Sequence, residues 1–485
     1  MTTAITHRLS RNVRYITWLI SDTAKGLASA LFGFAIPLIA LFVTNDPAQA
    51  GIISAVGMTI RTITTVFGGV LADRHSRIVM MIIGSAAGVV LAGVFTALAL
   101  MDALTFVTLL VIDVALAARA GLFDVAGESA LKEIVPDDAM GRAQAANQGR
   151  DAVLQLAGGP LGGVLLAVGA WLIGAAMAVS HVIAMATAWM LRRSAPGDGG
   201  PHEADTLHAA SDGLENPDES ARPRGVAPRH AGATPDGPGF PNRGADAAAS
   251  ESAEAGRTAS AVGLAAAAVA IGRPNALREI AEGFRWLISR PDLRGVLFVA
   301  TIVNLGFSTA MTTVIYALQQ AGHSTITIGL LATGAGVAML IGALVAPLLV
   351  SRVRASVVII GGLGVATLGV FGMIPAHDPL ALIAVLGVTV FFIPAVNAAL
   401  MGYFMVATPT ELLGRANSAS AVLGMGAMPF APLIAGFGLA VIGRENTLVT
   451  ASVLCAISVL LAVANRGLRA LPAEAGWSAH ARRFE

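Results

Sequence analysis

Ionisable side chains lie inside long apolar stretches of this chain, where an unpaired charge costs at least ~2.5 kcal/mol. They fall in the first, second and fourth stretches and are Asp22, Lys25, Arg61, Asp113, Arg119 and Asp124. Burial favours the neutral form of a carboxyl, and a neighbouring arginine favours the charged form, so such a group can load and release a proton. We predict that Asp113 or Asp22 carries a proton, with Arg61 biasing its affinity. Fixed ion pairing is the alternative, and the spacing of Asp22 and Lys25 favours it for that pair.

The stretches that hold these residues have the length and composition of membrane helices. Hydrophobic residues make up 55% of the 485 residues and charged ones only 13%, unlike a soluble domain. Windows of about 20 apolar residues predict twelve spans. They are 15–43, 50–72, 78–100, 104–126, 148–168, 172–191, 295–318, 326–349, 355–375, 380–404, 416–441 and 447–465.

Arginines alternate between the ends of these spans. Arg74 and Arg77 follow the second span and Arg352 and Arg354 the eighth, whereas the opposite loops carry only Arg444. By the positive-inside rule, both termini face the cytoplasm and the chain is a multi-pass protein of the inner, cytoplasmic membrane.

A faint internal duplication has an offset of 273 residues. Pro136, Gly141 and Arg142 return as Pro409, Gly414 and Arg415. Matching halves predict a two-lobed secondary transporter. The predicted fold is an all-α integral membrane protein with twelve transmembrane helices in two pseudo-symmetric six-helix bundles.

The predicted domains follow from breaks in this pattern. Residues 1–193 and 291–470 form the bundles, and 471–485 form a cytoplasmic tail. Eight of the 22 prolines fall in 194–241, so 194–275 is predicted to be a disordered cytoplasmic linker. An amphipathic pattern over 276–290 predicts an interfacial helix, although packing against another helix would give the same stripe.

A loop motif and two further segments carry a family resemblance. Gly69-Val70-Leu71-Ala72-Asp73-Arg74-His75-Ser76-Arg77 resembles the signature between the second and third helices of the major facilitator superfamily. Glu282-Gly283-Phe284-Arg285 and Leu413-Gly414-Arg415 resemble its macrolide and siderophore exporter branch, whose members are drug:proton antiporters. The resemblance implies the major facilitator fold and transport by alternating access.

The resemblance also implies roles for particular residues. Gly69, Asp73, Arg74 and Arg77 would form a conformational-switch loop, in which Asp73 meets the start of the eleventh span and holds the outward-facing state. Plain positive-inside anchoring explains Arg74 and Arg77 equally well. Arg119 resembles an arginine motif of the fourth helix that is linked to proton movement, but here the Arg–Gly spacing is shorter.

Two further sets complete the candidate residues. Gly159, Pro160 and Gly163 resemble the antiporter motif of the fifth helix, although Val164 replaces its last glycine. They favour export, and close helix packing is the alternative. Asn304 and Asn397 are candidates for the second-lobe wall of a cavity that would accept a bulky amphipathic or cationic solute. Satisfied core amides are the alternative there.

Other classes of function fit poorly. The only lysines, Lys25 and Lys132, do not follow a glycine, so the chain lacks an ATP-binding phosphate loop. We predict no enzyme activity, cofactor or metal site. The net charge of +1 offers no attraction for nucleic acid.

The predicted partners are a small-molecule substrate, protons and the lipid bilayer, and the chain is predicted to be monomeric. The predicted function is proton-coupled efflux of a drug-like or siderophore-like molecule, with a role in multidrug resistance. The alternatives are an importer, a lipid flippase or a non-transporting sensor.

Overall fold

The computed structural model describes residues 12–135, 137–193, 276–409, 412, 416, 420 and 426–482. The predicted linker 194–275 lies outside the described residues, so its disorder stays a prediction. Six helices precede the linker: α1 Val13–Thr44, α2 Pro47–Arg74, α3 Arg77–Leu100, α4 Phe106–Ile134, α5 Asp137–Val168 and α6 Ala170–Arg193. The rest of the described chain is helical too and contains no strand.

The second half begins with the amphipathic helix. Its elements are α7 Ala276–Ser289, α8 Pro291–Gln320, α9 Thr325–Arg352, α10 Ala355–Gly372, α11 Pro379–Phe391, α12 Ile393–Ala407, α13 Phe430–Val441, α14 Gly443–Ala464, α15 Arg466–Arg469 and α16 Trp477–Ala481. Among the described residues, eleven helices are long and apolar enough to cross a membrane, with α11 and α12 counted as one span. The shorter α13 lies within the predicted eleventh span, 416–441.

Helix packing divides these elements into two bundles. In the first bundle, α1–α6, the main contacts are α2 with α4, α3 with α6 and α1 with α6. The second bundle, α8–α14, repeats them as α9 with α11, α10 with α14 and α8 with α14. The predicted all-α fold of two matching bundles is therefore confirmed.

The outer surface of both bundles is apolar. Leu368, Leu380 and Leu460 are among many large apolar side chains that lie exposed. A soluble protein would not expose so much apolar surface, which suits contact with lipid. The chain is a multi-pass membrane protein.

Short connections define two ends of the molecule. Asn45 ends α1 with a left-handed backbone (φ 49°), and the Asp46 side chain caps α2 by accepting from the Ala48 amide at 2.8 Å. We call the side that holds this turn the Asn45 end. The other side, where Arg74 closes α2, is the Arg74 end.

Arg444, the exception to the charge alternation, has a structural explanation. Its guanidinium donates to the carbonyl oxygens of Ile374 at 2.9 Å and Met373 at 2.8 Å, and also to that of Ala376. These carbonyls follow the C-terminus of α10, where a cation also meets the negative end of the helix dipole. Arg444 is therefore a helix cap, so its place at the Asn45 end does not count against the predicted orientation.

We expect Arg444→Ala to destabilise the protein by roughly 2 kcal/mol, because three carbonyls lose a charged donor. The measurement is the temperature at which half of the detergent-solubilised protein remains monodisperse. Arg352→Ala, an exposed arginine at the Arg74 end, is the matched control and should change little. Equal melting temperatures for the two variants would contradict the cap.

The C-terminal segment after α14 folds back onto the second bundle. The carbonyl of Pro472 accepts from the Ala355 amide at 3.1 Å, so the segment caps the N-terminus of α10. Trp477 is buried and lies edge-on to Tyr403 of α12, with ring centroids 6.4 Å apart. The described part of the predicted tail is thus packed against the Arg74 end.

Candidate functional site

Asp22 is the centre of a buried charge cluster in the first bundle. Its Oδ1 lies 2.7 Å from Lys25 Nζ and its Oδ2 lies 2.8 Å from Arg150 Nη1. The Asp22 side chain is only 6% exposed, and both cations are 14% exposed. Both carboxylate oxygens are therefore paired, one within α1 and one with α5.

Arg150 was not among the predicted site residues. Its guanidinium also contacts Asp151 Oδ1 at 2.7 Å and lies 5.8 Å from the ring of Trp18. The indole nitrogen of Trp18 donates to the Gly127 carbonyl of α4 at 2.8 Å. In the sequence Arg150 looks like an anchor at the start of the fifth span. Its adjacency to Asp151 within an otherwise apolar run was the available signal.

Arg119 and Asp124 extend this cluster along α4. Arg119 Nη1 lies 3.5 Å from Asp124 Oδ1 and 3.4 Å from the Gly84 carbonyl oxygen of α3. Lys25 Nζ donates to the Asp124 carbonyl at 3.1 Å, which links the pair to the Asp22 cluster. Arg119 is therefore held in a fixed ion pair in this conformation.

The six charges of this cluster cancel. Its carboxylates are Asp22, Asp124 and Asp151, and its cations are Lys25, Arg119 and Arg150. An electrically neutral set is what a low-dielectric interior tolerates best.

Asp113 stands apart from that cluster. It is 3% exposed, and its Oδ2 has no hydrogen-bond partner among the described residues. The carboxyl faces Gly57 of α2, where any Cβ would collide with it. The glycine thus makes room for a carboxyl that lacks a salt bridge within the described structure.

Arg61 lies one turn beyond Gly57 on α2, and its side chain is exposed. Among the described residues it forms no ion pair with Asp113 or Asp22, since Asp22 is taken by Lys25 and Arg150. The predicted influence of Arg61 on a proton site therefore has no direct contact behind it in this conformation.

The predicted switch loop is only partly described. Arg74 is exposed, and Arg77 Nη1 pairs with Glu133 Oε1 at 3.1 Å. The Asp73 side chain and most of 410–425 lie outside what the structure describes, so the predicted contact of Asp73 stays a prediction. The close approach of α2 to α4 occurs at Gly68, where a Cβ would collide with the Gly121 carbonyl oxygen. Gly69 itself is buried.

The glycine motif of α5 lies where the two bundles cross. A Cβ on Gly159 would lie 2.7 Å from Ala332 Cβ of α9, and one on Gly163 would lie 2.5 Å from the Thr325 carbonyl oxygen. Thr325 Oγ1 also donates to the Gly163 carbonyl at 2.8 Å. Pro160 lies between these two contacts, inside α5. The motif thus permits backbone contact between α5 and α9 at the Asn45 end.

A second crossing joins α2 to α13 at the same end. A Cβ on Gly51 would collide with the Pro432 carbonyl oxygen, and one on Gly436 with the Pro47 carbonyl oxygen. Beside this crossing, residues of α2 and of 426–433 line an apolar cavity of about 430 Å³. Together the two crossings close the Asn45 end.

The polar candidates of the second bundle are less well defined. Asn304 of α8 is exposed and Asn397 of α12 is half-buried. Within the described structure neither amide forms a hydrogen bond with another residue. The structure does not bring them into the buried cluster of the first bundle.

Comparison with known proteins supports the architecture. Residues 21–231 match the model of the Major Facilitator Superfamily. A solved structure described as a bacterial homologue of the iron transporter ferroportin in an inward-facing state is similar, with a TM-score of 0.62 and 12% identity over 94% of this chain and 99% of that one. Another, described as a bacterial metal transporter, has a TM-score of 0.58 and 13% identity with the same coverage. No protein of curated function matches the chain significantly.

At such low identity the two structures establish the fold alone. They do not confirm the predicted macrolide and siderophore exporter branch. The fold and the family match together support a secondary transporter of small substrates within a membrane. The chain has the major facilitator fold, and residues 21–231 are similar to members of the major facilitator superfamily.

Proposed function

We propose that this protein exports a small amphipathic solute in exchange for protons, by alternating access across the cytoplasmic membrane. The Arg74 end is the cytoplasmic side, since the arginines of the connecting loops gather there. Closure at the Asn45 end then corresponds to an inward-facing conformation. To export solute, the protein must also reach an outward-facing conformation. In that conformation the α2–α13 and α5–α9 crossings are separated and the Arg74 end is closed.

The observation that carries the proposal is the isolation of Asp113. A buried carboxylate without a partner is costly, and the neighbouring ion-pair cluster is already neutral. Asp113 therefore holds a proton in this conformation. It exchanges that proton with whichever side water reaches it from, which makes it a carrier that can be loaded on one side and emptied on the other.

The Asp22 cluster has a supporting role in this scheme. Its contacts tie α1, α4 and α5 into one rigid unit. A rigid first bundle lets the whole unit rock against the second bundle. Asp22 is thus a structural group in this proposal, and Asp113 is the proton site.

The chemical class of the solute is inferred from the residues that line the cavity between the two bundles. Threonines and apolar side chains of α2 line the cavity beside α13, and Arg61 is exposed nearby on the same helix. Such walls suit a molecule with a large apolar part and a few polar groups, as drug-like and siderophore-like compounds have.

A divalent metal ion is the second candidate substrate. The two similar structures are described as an iron transporter homologue and a metal transporter. The described residues contain no group of three or more metal-ligating side chains. Divalent metal ions are therefore among the solutes that the transport experiment compares.

The test uses the purified protein in liposomes with a pH gradient and an internal pH dye. A panel of amphipathic drugs, siderophores and divalent metals is added, and solute flux and proton flux are measured together. We expect an amphipathic solute to move against protons. Solute flux that ignores the gradient, import with protons, lipid scrambling alone, or binding without flux would each contradict proton-coupled export.

Asp113→Asn tests the proton site directly. The amide keeps the shape of the protonated acid but cannot release a proton, so we expect proton-driven flux to fall to the level of empty liposomes. Solute–solute exchange without a gradient should survive. Asp102→Asn, at an exposed turn of the Asn45 end, is the matched control and should behave like the unchanged protein. Normal proton coupling in Asp113→Asn would overturn the proposal.

A further inference from the structure

Tyr316 belongs to the second bundle but lies in the core of the first. Its ring is fully buried and packs in the apolar cluster formed by α1, α2, α3, α4 and α6. Conversely, Leu38 of α1 lies in an apolar cluster of the second bundle. Gln319 Nε2 donates to the Leu38 carbonyl at 2.6 Å, and this hydrogen bond holds the two interlocking side chains in place. Separation of the bundles would withdraw both side chains.

The hydroxyl of Tyr316 lies beside the predicted proton site. It is 3.4 Å from Ser54 Oγ of α2. Ser54 and Gly57 are one turn apart on α2, and Asp113 faces Gly57. The ring therefore reaches the immediate neighbourhood of Asp113.

The depth of these groups places the ring on the outer side of the carboxyl. Tyr316 is four residues from the end of α8 at the Asn45 end, about 6 Å along the helix axis. Asp113 is seven residues from the start of α4 at the same end, about 10 Å along its axis. By this count the backbone of Tyr316 lies nearer the Asn45 end than that of Asp113.

We propose that Tyr316 is the stopper that controls proton access to Asp113 from the Asn45 end. This inference rests on the proposed function of Asp113. Opening of the Asn45 end moves α8 away with the second bundle, withdraws the ring and lets water reach the carboxyl. Closure reinserts the ring and seals the proton in, so loading cannot continue while the other side is open.

Other charged groups near Asp113 do not offer an equivalent control. The helices packed against α4 are α1, α2 and α3, and their described charged side chains are Arg14, Asp22, Lys25, Arg61, Arg74 and Arg77. Asp22 is paired with Lys25, and Arg77 is paired with Glu133 at the far end. Arg61 and Arg74 lie closer to the Arg74 end than Gly57 does. None of them lies between Asp113 and the Asn45 end.

The experiment measures proton leak without substrate in liposomes that contain the full protein. We expect Tyr316→Ala to raise the leak about tenfold, which corresponds to a barrier lower by about 1.4 kcal/mol. Tyr316→Phe keeps the ring and should stay as tight as the unchanged protein. Adding Asp113→Asn to Tyr316→Ala should remove the leak, because the path then lacks its carrier.

Leu38→Ala is the matched control. It removes a buried side chain from the same interlocking contact between the bundles without changing Asp113 or Tyr316. We expect no leak from it. If Tyr316→Ala does not leak protons, or if its leak persists after Asp113→Asn is added, the stopper role of Tyr316 is wrong. Neither result would contradict proton exchange through Asp113. Normal coupling in Asp113→Asn alone would instead overturn the proposed function. Tyr316→Phe also shows whether the position tolerates change, because it should fold and exchange normally.

Discussion

Leucine in place of Gly51 will abolish transport while leaving the chain folded. The α2 and α13 backbones touch at this position, and even a Cβ would collide with the Pro432 carbonyl oxygen. A leucine side chain must push the helices apart, so the Asn45 end can no longer close. A transporter that cannot reach one of its two states cannot complete a cycle. We expect flux at the level of empty liposomes.

Accessibility of the Asn45 end separates this effect from misfolding. In a Cys455→Ser background, a cysteine at Ser54 should react quickly with a membrane-impermeant maleimide in Gly51→Leu and slowly in its absence. The native Cys455 is buried, so its replacement leaves the closure unchanged. Gly93→Leu is the matched control, because a Cβ at Gly93 meets nothing within 4 Å. Normal flux with Gly51→Leu would show that the crossing is not needed.

Asp22→Asn will cause the largest loss of stability in the first bundle. The change leaves the Lys25 ammonium without its carboxylate and Arg150 with one carboxylate partner. Lys25 and Arg150 are each only 14% exposed. Removing one partner of a buried ion pair costs about 3–5 kcal/mol. The measurement is thermal unfolding in detergent, followed by loss of the monodisperse peak.

The neighbouring Asp151→Asn provides the matched control. Asp151 also binds Arg150, but its side chain is 42% exposed, so its loss should cost less than about 1 kcal/mol. A double change, Asp22→Asn with Lys25→Met, should recover part of the stability because it removes one charge of each sign. Equal destabilisation by Asp22→Asn and Asp151→Asn would show that the Asp22 cluster is not the structural element described above.

Helix positions were predictable because lipid leaves a spanning chain few options. A backbone without water must satisfy its own hydrogen bonds, so an apolar run of sufficient length is a helix. A helix begins at Ala276, where the amphipathic pattern starts, and its place at the membrane interface stays a prediction. Leu287 of that helix is buried in the second bundle, so part of its apolar face packs against protein. The exception at Arg444 needed the structure, since only the folded chain shows which carbonyls it caps.

The sequence by itself determined that this is a membrane protein of two matched bundles, with its ionisable residues concentrated in the first. It could not determine which of those residues pair. Ion pairing between helices depends on how each helix is rotated about its axis and how deep each residue lies in the bundle. Hydropathy contains no information on either. Only the tertiary structure joined Asp22 to Arg150, left Asp113 opposite a glycine, and inserted a tyrosine of one bundle into the core of the other. The physical reason is that each of these contacts lies between helices far apart in the chain.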